Sequence, residues 1–200
     1  MGGVIVSSPF AQFAAYEAAN GLPDGFLRSV NATDPDTNAW AQLERSEIDL
    51  DAFGPLFAAE SKAQGHEVDG RLVIQMLTGE VHAPMVDAVR RCGVHLKTGL
   101  LTNNFLGGSK AARRESAMGE LFTLFDVVIE SSQVGVRKPD PRFYELACEQ
   151  LAIRPDEAVF LDDLGVNLKP ARALGMTTIK VVDPDDAIDE LEAVVGFALR

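Results

Sequence analysis

Hydrophobic residues are spaced in two different ways along this chain. Up to about residue 92 they recur at helical intervals, and from residue 94 short apolar runs alternate with amphipathic stretches. In the first part, Ser8 and Pro9 predict an N-cap and a proline at the first helical position. They lead into Phe10-Ala-Gln-Phe13-Ala-Ala-Tyr16 and a stop at Gly21. Further helices are expected from Pro23 or Asp24, around Trp40 and Leu43, and from Leu50 to Gln64 with Gly65 as the stop. Two more follow at Arg71–Leu77 and Pro84–Cys92, the last closed by Gly93. The apolar positions of these helices read as core rather than as a binding stripe.

The second part predicts strands at Leu96–Leu101, Asp126–Ile129, Ala158–Leu161 and Thr177–Val182. Helices at Lys110–Phe122, Pro141–Leu151, Leu168–Leu174 and Ala187–Ala198 separate or follow them. This β-α-β-α rhythm indicates an α/β fold, a doubly wound parallel sheet with right-handed crossovers. A helical subdomain thus precedes an α/β core, without internal repeats.

Composition narrows the function classes. A content of 46% hydrophobic residues supports a sizeable core, and the net charge of −12 argues against nucleic acid or an anionic membrane as partner. An acidic balance does not exclude an anionic substrate, since a bound metal inverts the local field. Cys92 and Cys148 have neither a disulfide framework nor zinc spacing, and a reducing cytoplasm is the expected location. His66, His82 and His95 are scattered and carry no metal-pair spacing.

Three strand ends carry the candidate chemistry. Ala158-Val-Phe-Leu161 leads to Asp162 and Asp163, adjacent acids at the carboxyl end of a buried strand, where open α/β sheets bind ligands. Two neighbouring carboxylates repel, and a hard cation such as Mg²⁺ relieves the repulsion; the plainer reading is an acidic first turn of a helix. Asn167, one turn beyond Asp163, is a further candidate for the metal shell. Leu100-Leu101-Thr102-Asn103-Asn104 ends another strand in a hydroxyl and two amides, and Lys138 sits in the proline-stiffened Arg137-Lys138-Pro139-Asp140-Pro141 loop. Alone, Thr102 reads as a cap and Lys138 as a solvated lysine. Converging on one edge with the acids, they suit a phosphoryl group and Mg²⁺.

As a set these residues resemble the motifs of the haloacid dehalogenase superfamily of Mg²⁺-dependent hydrolases. Leu100-Leu-Thr-Asn103 is similar to its second motif, Lys138 to its third-motif lysine, and Phe160-Leu-Asp-Asp-Leu-Gly165 to its metal-binding fourth. The stretch Phe160–Met176 is similar to the branch holding the N-terminal phosphatase domain of soluble epoxide hydrolase and the related domain fused to some acyl-CoA dehydrogenases. Tyr16–Val30 and Leu43-Glu-Arg-Ser-Glu-Ile48 fit the helical cap of that branch. The resemblance implies residues 1–8 as the remnant of the first motif, 9–92 as cap and return helix, and 93–200 as core. It further implies Thr102 and Lys138 as catalytic and, with Asn103, as substrate-binding residues. The metal, Mg²⁺, would fall to Asp163 supported by Asp162.

The first motif departs from the pattern. Family members begin with an apolar strand ending in a nucleophilic Asp, and in this branch a residue and Gly-Gly-Val follow. Met1-Gly2-Gly3-Val4 aligns only from the residue after that Asp, so the nucleophile would lie one position before Met1, and Gly2 stands where many relatives carry a second Asp. The missing strand would lie between those ending in Thr102 and Asp162, and burying about five apolar residues there is worth roughly 8–15 kcal/mol. That matches the whole net stability of a domain, ~5–15 kcal/mol. Two expectations follow: a natural start upstream of Met1, or Val4-Ile5-Val6 sliding into the central slot, with Ser7 or Ser8 near the nucleophile's place.

The expected function is a phosphatase acting on a small phosphorylated metabolite, with the aspartate nucleophile upstream of Met1. The competing expectation is a non-catalytic protein binding a phosphorylated ligand or partner. A haloacid dehalogenase reaction is a third, undermined by the same missing aspartate.

Overall fold

Among the described residues four short, apolar runs form strands where the alternating texture predicts them. The first begins at Gly99 rather than Leu96, because the preceding helix runs on to His95, and the last ends at Lys180 rather than Val182. A computed structural model describes residues 1–77, 79–104 and 117–200. Strands β1 (Gly99–Thr102) and β2 (Val127–Glu130) pair in parallel, with Leu100 opposite Val128 and Thr102 opposite Glu130. Strands β3 (Val159–Asp162) and β4 (Thr177–Lys180) pair likewise, with Asp162 opposite Lys180. The predicted strand ends at Leu101, Ile129 and Leu161 are each one residue short, because pairing carries on to Thr102, Glu130 and Asp162.

Among the described residues no pairing joins β1 to β3, so the sheet exists as two parallel halves. Val4, Ile5 and Val6 do not slide between them. Gly3, at φ +73°, turns the chain back, its N–H donates to the Val6 carbonyl at 2.7 Å, and the Ile5 N–H donates to the Met1 carbonyl at 2.9 Å. Val6 bridges Val81 instead, and the Ser7 N–H donates to the Glu80 carbonyl at 2.8 Å. The gap between the halves is an apolar cavity of about 560 Å³, lined by Leu100 and Leu101 from one side and Phe160 and Leu161 from the other. Met1, Val4 and Ile5 also line it.

Helices cover both faces of the split sheet. On one face, α6 (Ala83–His95) contributes Met85, Ala88 and Cys92 to a buried cluster that includes Ile179 and Leu191. On the other, α9 (Pro141–Leu151) and α10 (Gly165–Ala173) bury Phe143, Tyr144, Ala147 and Ala171 against Ile129. Helix α6 runs through Gly93, which does not close it as the sequence suggests. A mid-helix glycine costs about 1 kcal/mol, and the His95 ring packs edge-on against Phe197 at 5.0 Å. Helix α7 (Ala117–Phe122) is the described part of the predicted Lys110–Phe122 helix; the remainder lies outside the described residues. The four-residue α8 (Ser131–Val134) was not foreseen, and the last helix, α11, spans Pro184–Val195.

Five helices precede α6: α1 (Phe10–Asn20), α2 (Phe26–Ala32), α3 (Ala39–Glu44), α4 (Leu50–Ala63) and α5 (Gly70–Gln75). Their apolar faces form a separate cluster around Phe13, Leu27, Phe53 and Phe57. Side chains of Asn38 and Asp49 accept from Ala41 and Ala52 N–H groups and cap α3 and α4. Helix α2 starts at Phe26, later than Pro23, because Gly25 stands in the left-handed region at φ +74°. Among the described residues no helix is long and apolar enough to cross a membrane.

Candidate functional site

Parallel strands aim their carboxyl ends at one edge, and the polar residues that follow β1 and β3 meet there. Asp162, the last residue of β3, is 3% exposed, and Lys138 is 5% exposed. Their side chains form a buried ion pair, with Lys138 Nζ 2.7 Å from Asp162 Oδ2. The other Asp162 oxygen accepts from the Leu164 N–H and from Asn167 Nδ2, each at 2.9 Å. The start of α10 thus satisfies an acid that burial would otherwise penalise. Lys138 also lies over the Phe160 ring, 5.6 Å from its centre.

Asp163 has a different environment. Its carboxyl makes no ion pair among the described residues, and burial, followed by repulsion from Asp162, pushes its pKa above the usual carboxylate range. It faces the turn at Gly3, where a Cβ would stand only 2.2 Å from the Asp163 Cγ, so glycine is required. Thr102, 5% exposed at the end of β1, makes no side-chain hydrogen bond among the described residues.

Asn103 joins these groups mechanically. Its Oδ1 accepts from the Lys138 N–H at 2.8 Å and its Nδ2 donates to the Lys138 carbonyl at 3.0 Å, so the amide brackets the lysine's backbone. Both ends of that amide are thereby engaged within the protein. Asn167 likewise gives its Nδ2 to Asp162 and buttresses that acid.

Sequence reasoning missed a second layer. Glu44 Oε2 accepts from Arg137 Nε at 2.6 Å and from Asn103 Nδ2 at 3.2 Å. Ser131 Oγ accepts from the Asn104 N–H at 3.0 Å and lies 2.7 Å from the Glu44 carbonyl, to which it donates. Asn104 Nδ2 donates to Glu130 Oε1 at 2.5 Å. A Glu at the close of α3 and the Ser131-Ser132 pair after β2 were the available signals, but nothing local relates one to the other.

Hard oxygen donors and an under-compensated acid suit a divalent cation. No cluster of three or more His, Cys, Asp and Glu side chains surrounds a common point among the described residues. Asp163 would therefore hold the cation mainly with water or ligand oxygens, a usual arrangement for Mg²⁺.

Residues 7–175 match the family model described as haloacid dehalogenase-like hydrolase. The chain belongs to this family. Haloacid dehalogenase-like relatives include mouse acyl-CoA dehydrogenase family member 10, 37% identical over 210 aligned residues, covering 100% of this chain and 19% of that protein. Pig bifunctional epoxide hydrolase 2 is 35% identical over 201 residues, covering 94% of this chain and 36% of that protein. The chain thus spans well under half the length of both relatives. The fold is shared with a haloacid dehalogenase family enzyme of Bacteroides thetaiotaomicron, solved with magnesium and inorganic phosphate. That likeness has a TM-score of 0.60 at 17% identity over 92% of each chain.

Proposed function

We propose that this chain is the phosphate- and Mg²⁺-binding body of a phosphohydrolase acting on a small phosphate monoester. The observation that carries the reading is the buried Lys138–Asp162 pair at 2.7 Å, next to Asp163, whose carboxyl makes no ion pair among the described residues. A lysine held by a saturated acid keeps its remaining donors for phosphoryl oxygens, and the Thr102 hydroxyl supplies another hydrogen bond. Asn103 and Asn167 hold Lys138 and Asp162 in place. Asp163 would hold the cation, which when bound offsets charge on the phosphoryl group. The cavity between β1 and β3 is flanked by their unpaired inner edges among the described residues and lined mainly by apolar side chains. An apolar strand there, parallel to both, would end at the same edge and bring a nucleophilic aspartate to the phosphorus.

The test is to extend the chain before Met1 by an apolar strand ending in Asp and to assay phosphate release from small monoesters with Mg²⁺. Turnover that vanishes on Asp163→Ala is the expected result; turnover retained in that variant overturns the assignment. A second reading, phosphate-ester binding without hydrolysis, is favoured by the absence of a third carboxylate beside Asp162 and Asp163 among the described residues. It predicts binding by calorimetry with no phosphate release, even in the extended chain.

A further inference from the structure

Glu44 belongs to the helical part of the molecule, yet its carboxylate reaches the loops of the sheet edge. It is 7% exposed at the end of α3. One oxygen, Oε1, accepts from Trp40 Nε1 of the same helix at 3.0 Å. The other accepts from Arg137 Nε at 2.6 Å and Asn103 Nδ2 at 3.2 Å, both outside the helical part. Arg137 makes a second bond to the helical part through Nη1 and the Pro35 carbonyl at 2.7 Å. Lys138 is thus held from two directions. The residue before it is anchored to Glu44 and Pro35, and its own backbone is bracketed by the amide that Glu44 also holds.

We propose that Glu44 is a positioning residue through which the seated helical cap keeps the Lys138 loop in register with Asp162. This rests on the phosphate-binding reading of the site for its functional meaning, while the chain of contacts stands by itself. A neutral residue would end α3 as well as an acid does. What the acid adds is one charged oxygen that accepts from two donors on two different loops. A buried carboxylate is costly to keep unless such donors meet it. Burial pushes the Glu44 pKa up, opposed first by Arg137, which agrees with an acid retained for its contacts rather than for solvation. Lifting the cap would strip Arg137 and Asn103 of their shared acceptor and loosen the backbone that presents the lysine.

The test uses the whole chain and Glu44→Gln, which preserves shape and the Trp40 contact, with Arg137→Gln as the second variant. Amide hydrogen exchange read by NMR follows the Lys138 N–H, the group that donates to Asn103. Faster exchange there by about tenfold, the scale of one hydrogen bond to a charged group, is expected in both variants, with protection in α4 unchanged. The double variant should be no worse than either single one. Inorganic phosphate titrated with Mg²⁺ should bind the wild type more tightly than Glu44→Gln by a similar factor. Unchanged exchange at Lys138, with acceleration confined to α3, overturns the proposal and leaves Glu44 as a cap stabiliser. If the wild type binds no phosphate, the functional reading falls, and exchange at Lys138 still decides the positioning role.

Discussion

Two acids side by side in the sequence behave differently because their partners differ. Asp162 is saturated by Lys138, Asn167 and the Leu164 N–H, whereas Asp163 makes no ion pair among the described residues. Lys138→Ala would leave Asp162 buried without its counter-ion, and a loss of about 3–5 kcal/mol in urea unfolding is expected. Glu44 offers a pH test. Its folded pKa is raised, so its contribution to stability is fully present below the ordinary carboxylate pKa of about 4 and is lost as pH rises through the folded value. Glu44→Gln stays neutral at every pH, so in thermal unfolding the stability of the wild type relative to this variant should fall as pH rises from about 4 to neutral. The opposite trend would mean that Arg137 outweighs burial. Lys138, Asp162, Asp163 and Thr102 were legible from sequence because each stands at or next to a strand end. Glu44 was not, since its partner Arg137 lies 93 residues away.

At the scale of elements, the turn before α1 decides how the site is walled. Gly3 at φ +73° lets residues 1–6 fold back and sets their backbone against Asp163. Gly3→Ala would meet both an unfavourable backbone angle and the Asp163 carboxyl at 2.2 Å. The expected outcome is a lower melting temperature together with loss of any Mg²⁺-induced rise, measured by calorimetry with and without the cation. A variant that keeps that rise would remove Gly3 from the wall of the site. Helix existence was readable from caps and periodicity, as with Pro141–Leu151, whose bounds match the expectation. Ends set by tertiary contact were not, as with α6, which runs on past Gly93 to His95.

For the whole molecule, the dominant feature is the split sheet. Each half is paired only on its outer side among the described residues, and the inner edges face a cavity of about 560 Å³ lined by apolar side chains. Filling it with five apolar strand residues would gain ~1.5–3 kcal/mol each from burial. Ordering that backbone costs about 1–2 kcal/mol per residue. A net rise of a few kcal/mol in urea stability is expected for the chain extended before Met1 by an apolar strand. A scrambled polar extension of equal length should give none; equal effects of the two would show that the cavity does not select a strand.

The order of hydrophobic and polar residues by itself determined the succession of helices and strands, the parallel α/β class and the strand ends where Thr102, Asp162 and Asp163 stand. Those properties follow from local periodicity and from backbone geometry within a few residues. Only the tertiary structure decided that Asn103 clamps Lys138, that a carboxylate on α3 reaches the lysine's loop, and that Val4-Ile5-Val6 form no strand in the central slot. Each depends on which distant segments come into contact. A buried charge takes the partner that folding brings to it, and a strand forms only where a neighbouring edge accepts its hydrogen bonds.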